Sequence, residues 1–481
     1  MSSEKKGSAA AAAEQRVEWL RSQLIGKDAE FDTPFGRRLL TYADHTASGR
    51  SLRYIEDYLV NEVLPFYGNT HTEDSHVGRK TTRLMHRAAR NVTGIAVDTR
   101  ELARVLHQHG AFACFDFAAS GPYVKIDMKS GEVDGYDAVF LSPHKFVGGP
   151  GTPGILLMNK SLYRLNSQPP SMCGGGTVAY VNGFNEEDTL YYDDIEERED
   201  AGTPPIVQKI RASLAFWVKE YIGYETMELH ERVYSEMAMK RLIDNPNIKV
   251  LGNTTVDRLP IFSFLIYPPV EDSLFLRVEP GCYNSLENKT NKRLPLHGRF
   301  VTKLLNDLFG IQARGGCACA GPYGHILLDV NNELSLRIRS AILEGYSGLK
   351  PGWTRLSFAY YLSKEEFKFI LSAIEFIAAY GHRFLPLYKF DWITGNWTFR
   401  EQAIKYHVLR EELSLTSSVQ YAENIKSRIA KNLDKKPEPN HMKFETYLEN
   451  ARKIARSLPN INQQIVSIPK GVDPDMVLFH I

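Results

Sequence analysis

The stretch from residue 91 to residue 158 restricts the fold of this chain more than any other. NVTGI reads as the end of a strand, and DTRELARVLHQHG reads as a helix closed by Gly110. AFACFDFA is a short apolar run bounded by Gly and by Ser-Gly-Pro, which predicts a buried strand. YDAVFLSPHK follows as a strand and turn, and GILLMN as a further strand. Strands alternating with helices in this way predict an α/β sheet with parallel strands. Such sheets hold ligands at the carboxyl ends of their strands. Asp116 and Lys145 fall at or just past two such ends.

Outside this stretch the pattern is helical. Leu52, Ile55, Leu59 and Val63 recur at helical spacing over 51–64, and a second early helix is expected over about 76–90. PPIVQKIRASLAFWVKEYI, residues 204–222, is amphipathic, with Pro204 and Pro205 near its start. Residues 1–15 are alanine-rich, and are expected to fray or to extend a helix starting near Val17. Mixed helices and short strands run to about 385. The tail beyond is rich in Lys, Glu and Asn, with a helical stretch SSVQYAENIKSRIAKNL and a break at KKPEPNH. The 58 basic and 57 acidic residues balance, and no basic stripe interleaved with aromatics stands out, so a nucleic-acid binder is not expected. No run of about 18 uncharged apolar residues predicts a membrane span. Five cysteines make an odd, sparse set that argues for a reducing compartment, and the amino terminus lacks a secretory pattern. A cytoplasmic location is the resulting expectation.

The chemistry concentrates in SPHKFVGGPGTPG, residues 142–154. A lysine at a strand-to-loop junction, followed by Gly148, Gly149, Gly151 and Gly154, suggests an amine held in a crowded site that backbone approaches closely. Such a lysine can form a Schiff base with an aldehyde; the plainer alternative is a surface lysine beside a flexible turn. Asp116 lies 29 residues earlier in an apolar strand, where a carboxylate is costly to bury without a partner. A pyridinium nitrogen is one partner, as pyridoxal phosphate chemistry requires. Capping of the following turn is the other reading.

The chain resembles the class V aminotransferase family, in the group that includes the cysteine desulfurases. YADHTASG (42–49), GNTHTEDSH (68–76), NVTG, FDFAA, SPHK, AGTP (201–204), RGGCAC (314–319) and GWTRLSFAYY (352–361) occur in family order from about Tyr42 to Phe384. The resemblance implies an α/β fold of the pyridoxal-phosphate (PLP)-dependent fold type I, with a mostly parallel sheet in a large domain and a smaller α+β domain. It implies a segment 1–40, a cofactor-binding domain 41–222, a small domain 223–385 and an extension 386–481. It implies Lys145 as the imine lysine, Asp116 on the pyridinium, Ser142, His144 and Thr203 on the cofactor phosphate, and Asn91, Arg355 and His71 on the substrate. Arginine suits a carboxylate through its bidentate fork, although Arg355 in a surface ion pair is the alternative. Cys319 falls where one group of desulfurases carries its sulfur-accepting cysteine, next to Cys317 and near Arg314. Packing cysteines are the other reading, and no second cysteine pair suggests a zinc site. An amino-acid substrate and a homodimer follow from the same resemblance.

Two departures stand out. Ala119 occupies the position where the family usually places a glutamine against the cofactor's ring hydroxyl. And only 72 residues separate Asp44 from Asp116, too few for the strands, phosphate-cupping loop and ring-stacking residue that the family places there. LMHRAARNVTGI reads as a junction, between Arg90 and Asn91, from which a block has been lost. Exposed strand edges and apolar faces, with weakened cofactor affinity, are the expected consequences. The functional expectation is therefore a PLP-dependent enzyme acting on an amino acid, most like a cysteine desulfurase or related lyase. The alternative is a shortened, non-catalytic relative that binds a partner or dimerises.

Overall fold

The structure, a computed structural model, describes residues 3–67, 98–163, 165, 169–172, 174–185, 188–269, 293–316, 321–401, 439–458 and 468–480. The helix expected over 76–90, the NVTGI strand and the SSVQYAENIKSRIAKNL helix lie outside them. The chain forms two compact units. The first comprises residues 1–25, 45–233 and 256–259, and the second 26–44, 234–255 and 260–481.

In the first unit the alanine-rich start is helical, as α1 (Ser3–Gln23). The expected helix at 51–64 forms as α2 (Arg53–Tyr58), continued by one π turn to Val63 and a 3-10 turn, Leu64–Phe66. The four residues whose spacing predicted it, Leu52, Ile55, Leu59 and Val63, are all buried. Next comes α3 (Thr99–Gln108), capped by the Asp98 carboxylate on the Arg100 and Glu101 N–H groups and closed by Gly110 at φ +69°. The sheet consists of β1 (Cys114–Asp116), β2 (Ala138–Leu141) and β3 (Ile155–Met158), in that order. β1 and β2 are parallel, and β3 (the GILLMN strand) runs antiparallel to β2, which makes the sheet mixed. The 13 residues between Leu141 and Ile155 turn the chain straight back without a crossover helix.

One face of this sheet covers an apolar core of Ala103, Phe117, Tyr136, Val139 and Leu141. Cys114, Asp116, Phe140 and Leu156 are exposed. The strand expected to be buried is therefore half covered, and β1 is an edge strand among the described residues. A hairpin of β4 (Val178–Tyr180) and β5 (Leu190–Tyr191) leads to α4 (Ile195–Glu199) and then to α5 (Ile206–Ile222). Ile206, Ile210, Leu214, Val218 and Ile222 give α5 one buried stripe at every fourth residue, and Gly223 ends it at φ +88°. Trp19 of α1 packs edge-on against Tyr54 and Tyr221, and Arg211 pairs with Glu56. The next helix, α6 (Tyr224–Ile243), begins in the first unit and ends in the second.

The second unit is built on a four-stranded antiparallel sheet. Its strands are β6 (Ile248–Val250), β7 (Ile261–Ile266), β8 (Arg314–Gly316) and β9 (Trp353–Ser357), in the order β8-β9-β7-β6. Against it pack α7 (Gly298–Phe309), whose start lies too close to Trp353 backbone for any side chain at Gly298, and α8 (Gly321–Leu327). α9 (Asn332–Leu343) follows α8. A Ser363–Glu366 capping box starts α10 (Lys364–Tyr380). The described residues beyond 386 are packed into this unit. Phe444 of α11 (Asn440–Ser457) stacks on Phe369 at 4.2 Å, and Tyr447 accepts from the Leu39 N–H at 3.1 Å. Two buried polar ties hold the strand pair Tyr388–Phe390 and Trp397–Phe399 to α7. The Tyr388 hydroxyl donates to Asp307 at 2.8 Å, and the Trp397 indole N–H donates to His297 Nδ1 at 2.8 Å. No described helix is long and apolar enough to cross a membrane.

Burial pushes the His297 ring down to about 3 and the His480 ring to about 4. Both stay neutral in the fold at a pH where an unfolded imidazole, near 6.5, takes up a proton. The unfolded chain then binds more protons, so this stability is present above about pH 6.5 and is lost as pH falls toward about 4, at up to about 1.4 kcal/mol per pH unit for each ring. Urea-unfolding midpoints of the second unit between pH 7 and pH 5 should fall accordingly. His297→Asn, which keeps an acceptor for Trp397 but does not titrate, should flatten the slope by about one proton.

Candidate functional site

Lys145 lies in a single 3-10 turn, Pro143–Lys145, that follows β2 directly. Local hydrogen bonds close this turn. The Lys145 N–H donates to Ser142 O at 3.0 Å, and the Gly149 N–H to Phe146 O at 2.9 Å. The segment 48–50 is laced onto it, with the Gly49 N–H donating to His144 O at 2.9 Å and the Gly148 N–H to Arg50 O at 2.6 Å. A methyl group at Gly49 would overlap the Phe146 carbonyl, and one at Gly149 the Pro143 carbonyl. The glycines at 49 and 149 are thus required by backbone packed on backbone, rather than by the approach of a ligand. Behind the turn Phe146 is buried against Phe216 of α5 at 4.6 Å. Lys219 of the same helix donates to Gly121 O at 2.6 Å and Val124 O at 2.7 Å, in the loop that follows Asp116. One helix therefore braces both the Lys145 turn and the Asp116 loop.

Asp116 ends β1, and Lys145 stands just past the end of the adjacent parallel strand β2. Partial burial raises the Asp116 carboxyl above its ordinary value, and the Lys145 charge pulls it back down in part. Asp116 Oδ1 also accepts from the Ala118 N–H at 2.9 Å. Turn capping and the lysine interaction therefore coexist on one carboxylate. The His144 ring is half-buried, and burial followed by the neighbouring Lys145 charge lowers its pKa. Neutral His144 can donate one N–H and accept at the other nitrogen. Ser142 is half-buried at the entrance to the turn, and Ala119 is buried with no side-chain donor. Thr203 is exposed in the turn before α5. That turn is fixed by the Gly202 N–H on Gly175 O at 2.7 Å and by the Lys209–Asp200 ion pair at 2.5 Å.

Lys145, Asp116, His144 and Ser142 are thus brought together in the first unit. Asn91, His71 and Cys319 lie outside the described residues. Arg355 belongs to the second unit, on β9, opposite Arg314 of β8. Asp44 lies between the two. Its Oδ1 is 3.4 Å from Arg355 and its Oδ2 3.2 Å from Arg314. Arg355 is thus ion-paired in this structure, but with a mostly buried carboxylate and with its own side chain mostly buried, so the pair is not the surface ion pair of the alternative reading. Sequence reasoning missed the role of Asp44, although the residue sits in the quoted YADHTASG motif. The pairing of Arg314 with Arg355 across two strands makes a neutralising carboxylate necessary, and this is visible only once register is known.

Residues 42–275 match the family model described as aminotransferase class-V. A probable cysteine desulfurase of Streptomyces coelicolor is 26% identical over 184 residues, 38% of this chain and 42% of that protein. One from Halalkalibacterium halodurans is 30% identical over 173 residues, 36% of this chain and 40% of that protein. The chain spans about two fifths of the length of these curated relatives. The apo structure of a cysteine desulfurase from Thermococcus onnurineus NA1 superposes with a TM-score of 0.51 at 17% identity, covering 70% of this chain and 94% of that chain. At that identity the likeness establishes a common fold.

Two outcomes test this geometry. Gly149→Ala should lower stability by about 1–3 kcal/mol through the forced carbonyl shift. Gly154→Ala, where the nearest atom would lie at an ordinary 3.6 Å, should change the thermal midpoint little. Asp44→Asn should cost about 1–2 kcal/mol by leaving two facing guanidinium groups uncompensated. Adding Arg314→Gln in a double-mutant cycle should recover part of that loss.

Proposed function

We propose that this chain, whose residues 42–275 match the class-V aminotransferase family model and whose fold is shared with a cysteine desulfurase, is a PLP-dependent enzyme acting on an amino acid, most like a cysteine desulfurase or related lyase. The observation that carries this reading is the placement of Asp116 at the end of β1 and of Lys145 just past the end of the adjacent parallel strand β2, the carboxyl ends at which such sheets hold ligands. The donor set fits the cofactor. An amine, a carboxylate, a neutral imidazole and a hydroxyl converge on one braced turn, and a carboxylate that burial pushes up gains from a cationic ring nitrogen beside it. Bound here, pyridoxal phosphate would supply an aldehyde for the amine and a protonated ring that withdraws electrons.

In this reading Lys145 holds the cofactor's aldehyde carbon and can carry a proton at Nζ. Asp116 keeps the ring nitrogen protonated. Ser142 and His144 donate to the phosphate, and Thr203 adds a hydroxyl from the turn before α5. Arg355 serves the substrate carboxylate, with Asn91 and His71 as further substrate contacts. Cys319 is the candidate nucleophile. A homodimer is part of the same proposal. With Ala119 beside the site no side chain there reaches the ring hydroxyl, so the ring's electronics depend more heavily on Asp116. A second reading, a non-catalytic subunit that pairs with a partner, is favoured by Phe140 and Leu156, which are exposed side by side on the sheet among the described residues.

Purified protein incubated with pyridoxal phosphate and borohydride should carry one reduced adduct, mapped by peptide mass to Lys145. Lys145→Ala should abolish it. Asp116→Ala should weaken cofactor affinity at least tenfold, in keeping with a charge-assisted hydrogen bond of about 1.5–3 kcal/mol. Release of alanine and sulfide from cysteine would support the desulfurase assignment. A chain that shows no adduct at saturating cofactor would instead support the partner-binding reading.

A further inference from the structure

A second concave site lies wholly within the second unit, between α8, α9 and the segment that enters β9. It is a cavity of about 280 Å³, at the lower edge of the range for small-molecule pockets, with room for roughly nine water volumes. Its walls are apolar: Leu328, Ile338, Ile342 and the buried Trp353 line it. Its one internal polar pair is already satisfied. His325 Nδ1 lies 2.7 Å from Gly321 O, which can only accept, so Nδ1 carries the proton and Nε2 accepts from the Ser335 hydroxyl at 3.0 Å.

The remaining polar groups are two cations. Arg339 and Lys350 both line the cavity and are exposed. Neither has an ion-pair partner among the described residues, whereas Arg337 on the same helix is paired with Asp473. None of the described lining residues is acidic. An apolar cavity with two uncompensated cations calls for a ligand with an apolar body and one anionic end. Arginine favours a carboxylate for that end through paired N–H donors.

We propose that this cavity binds a small amphiphilic monocarboxylate, its hydrocarbon part against Ile338, Ile342 and Trp353 and its carboxylate between Arg339 and Lys350. The site uses no residue of the Lys145 constellation, so it stands or falls independently of the PLP reading. Isothermal titration of the full chain with octanoate, octanol and acetate tests it. Octanoate should bind at least tenfold more tightly than octanol, and acetate should not bind detectably. Arg339→Gln combined with Lys350→Gln should bring octanoate to the level of octanol. Ile342→Trp, which fills the cavity, should abolish binding of both; an unchanged thermal midpoint in each variant shows that the fold is retained. Equal binding of octanoate and octanol, undiminished binding in the filled variant, or no octanoate binding at millimolar concentration would overturn the proposal. Lys145→Ala should leave octanoate binding unchanged, which separates failure of this site from failure of the cofactor site.

Discussion

The backbone contact between the Lys145 turn and its surroundings is the constraint on which the candidate site depends. A lysine side chain carries about 2 kcal/mol of rotamer entropy, so its amine is useful for chemistry only where the backbone beneath it is fixed. Here three layers fix it. The turn closes on itself through Gly149, the 48–50 segment lies against it without room for a side chain at Gly49, and Phe146 anchors it to Phe216 of α5. The same helix reaches the Asp116 loop through Lys219. Amine and carboxylate thus share one brace, and a displacement of α5 moves both together.

Electrostatics adds a second condition. Asp116 divides its acceptor capacity between a backbone N–H and the charge of Lys145. Burial favours the neutral acid and the lysine favours the carboxylate. A second cation near Asp116 would shift that balance further toward the ionised form. The His144 ring obeys the opposite sign, because burial and the lysine charge both disfavour its protonation. Neighbouring groups on one turn are therefore held in complementary states, a neutral imidazole beside an ammonium that faces a carboxylate.

Much of this was legible in the sequence because it is local. The stripe of α5, the closing glycine at 110 and the turn after Leu141 follow from periodicity and from residue types with narrow conformational preferences. The reversal of β3 was not legible, because a short apolar strand carries no mark of its direction. Nor was the exposure of Cys114 and Asp116, since an apolar sequence reports a preference for burial and not whether anything lies on the other face. The role of Asp44 was hidden for a third reason. Its two partners are 270 and 311 residues away, and only strand register brings them opposite one another. Similarly, Gly149 read as permitting the close approach of a ligand, whereas packing makes it obligatory for the fold itself.

The packing of the described residues beyond 386 follows from polar accounting more than from apolar area. Asp307 is almost completely buried and accepts from Tyr388, Lys303 and Asn306. His297 is also buried, with Trp397 donating to Nδ1 and the Phe479 ring packed against it at 4.2 Å. In both cases one donor comes from beyond residue 386 and the acceptor from α7 or its cap. Removing the donor while the acceptor stays buried costs the desolvation of that acceptor, about 1–3 kcal/mol and more for a carboxylate. Burial together with Asp307 also pushes the Tyr388 hydroxyl well above its ordinary range, which keeps it a donor at every physiological pH. A segment that supplies obligatory donors to buried acceptors is part of the unit it completes. The second unit is therefore energetically closed only when residues 388–399 are in place, and its sheet, including the strand that carries Arg355, inherits its stability from them.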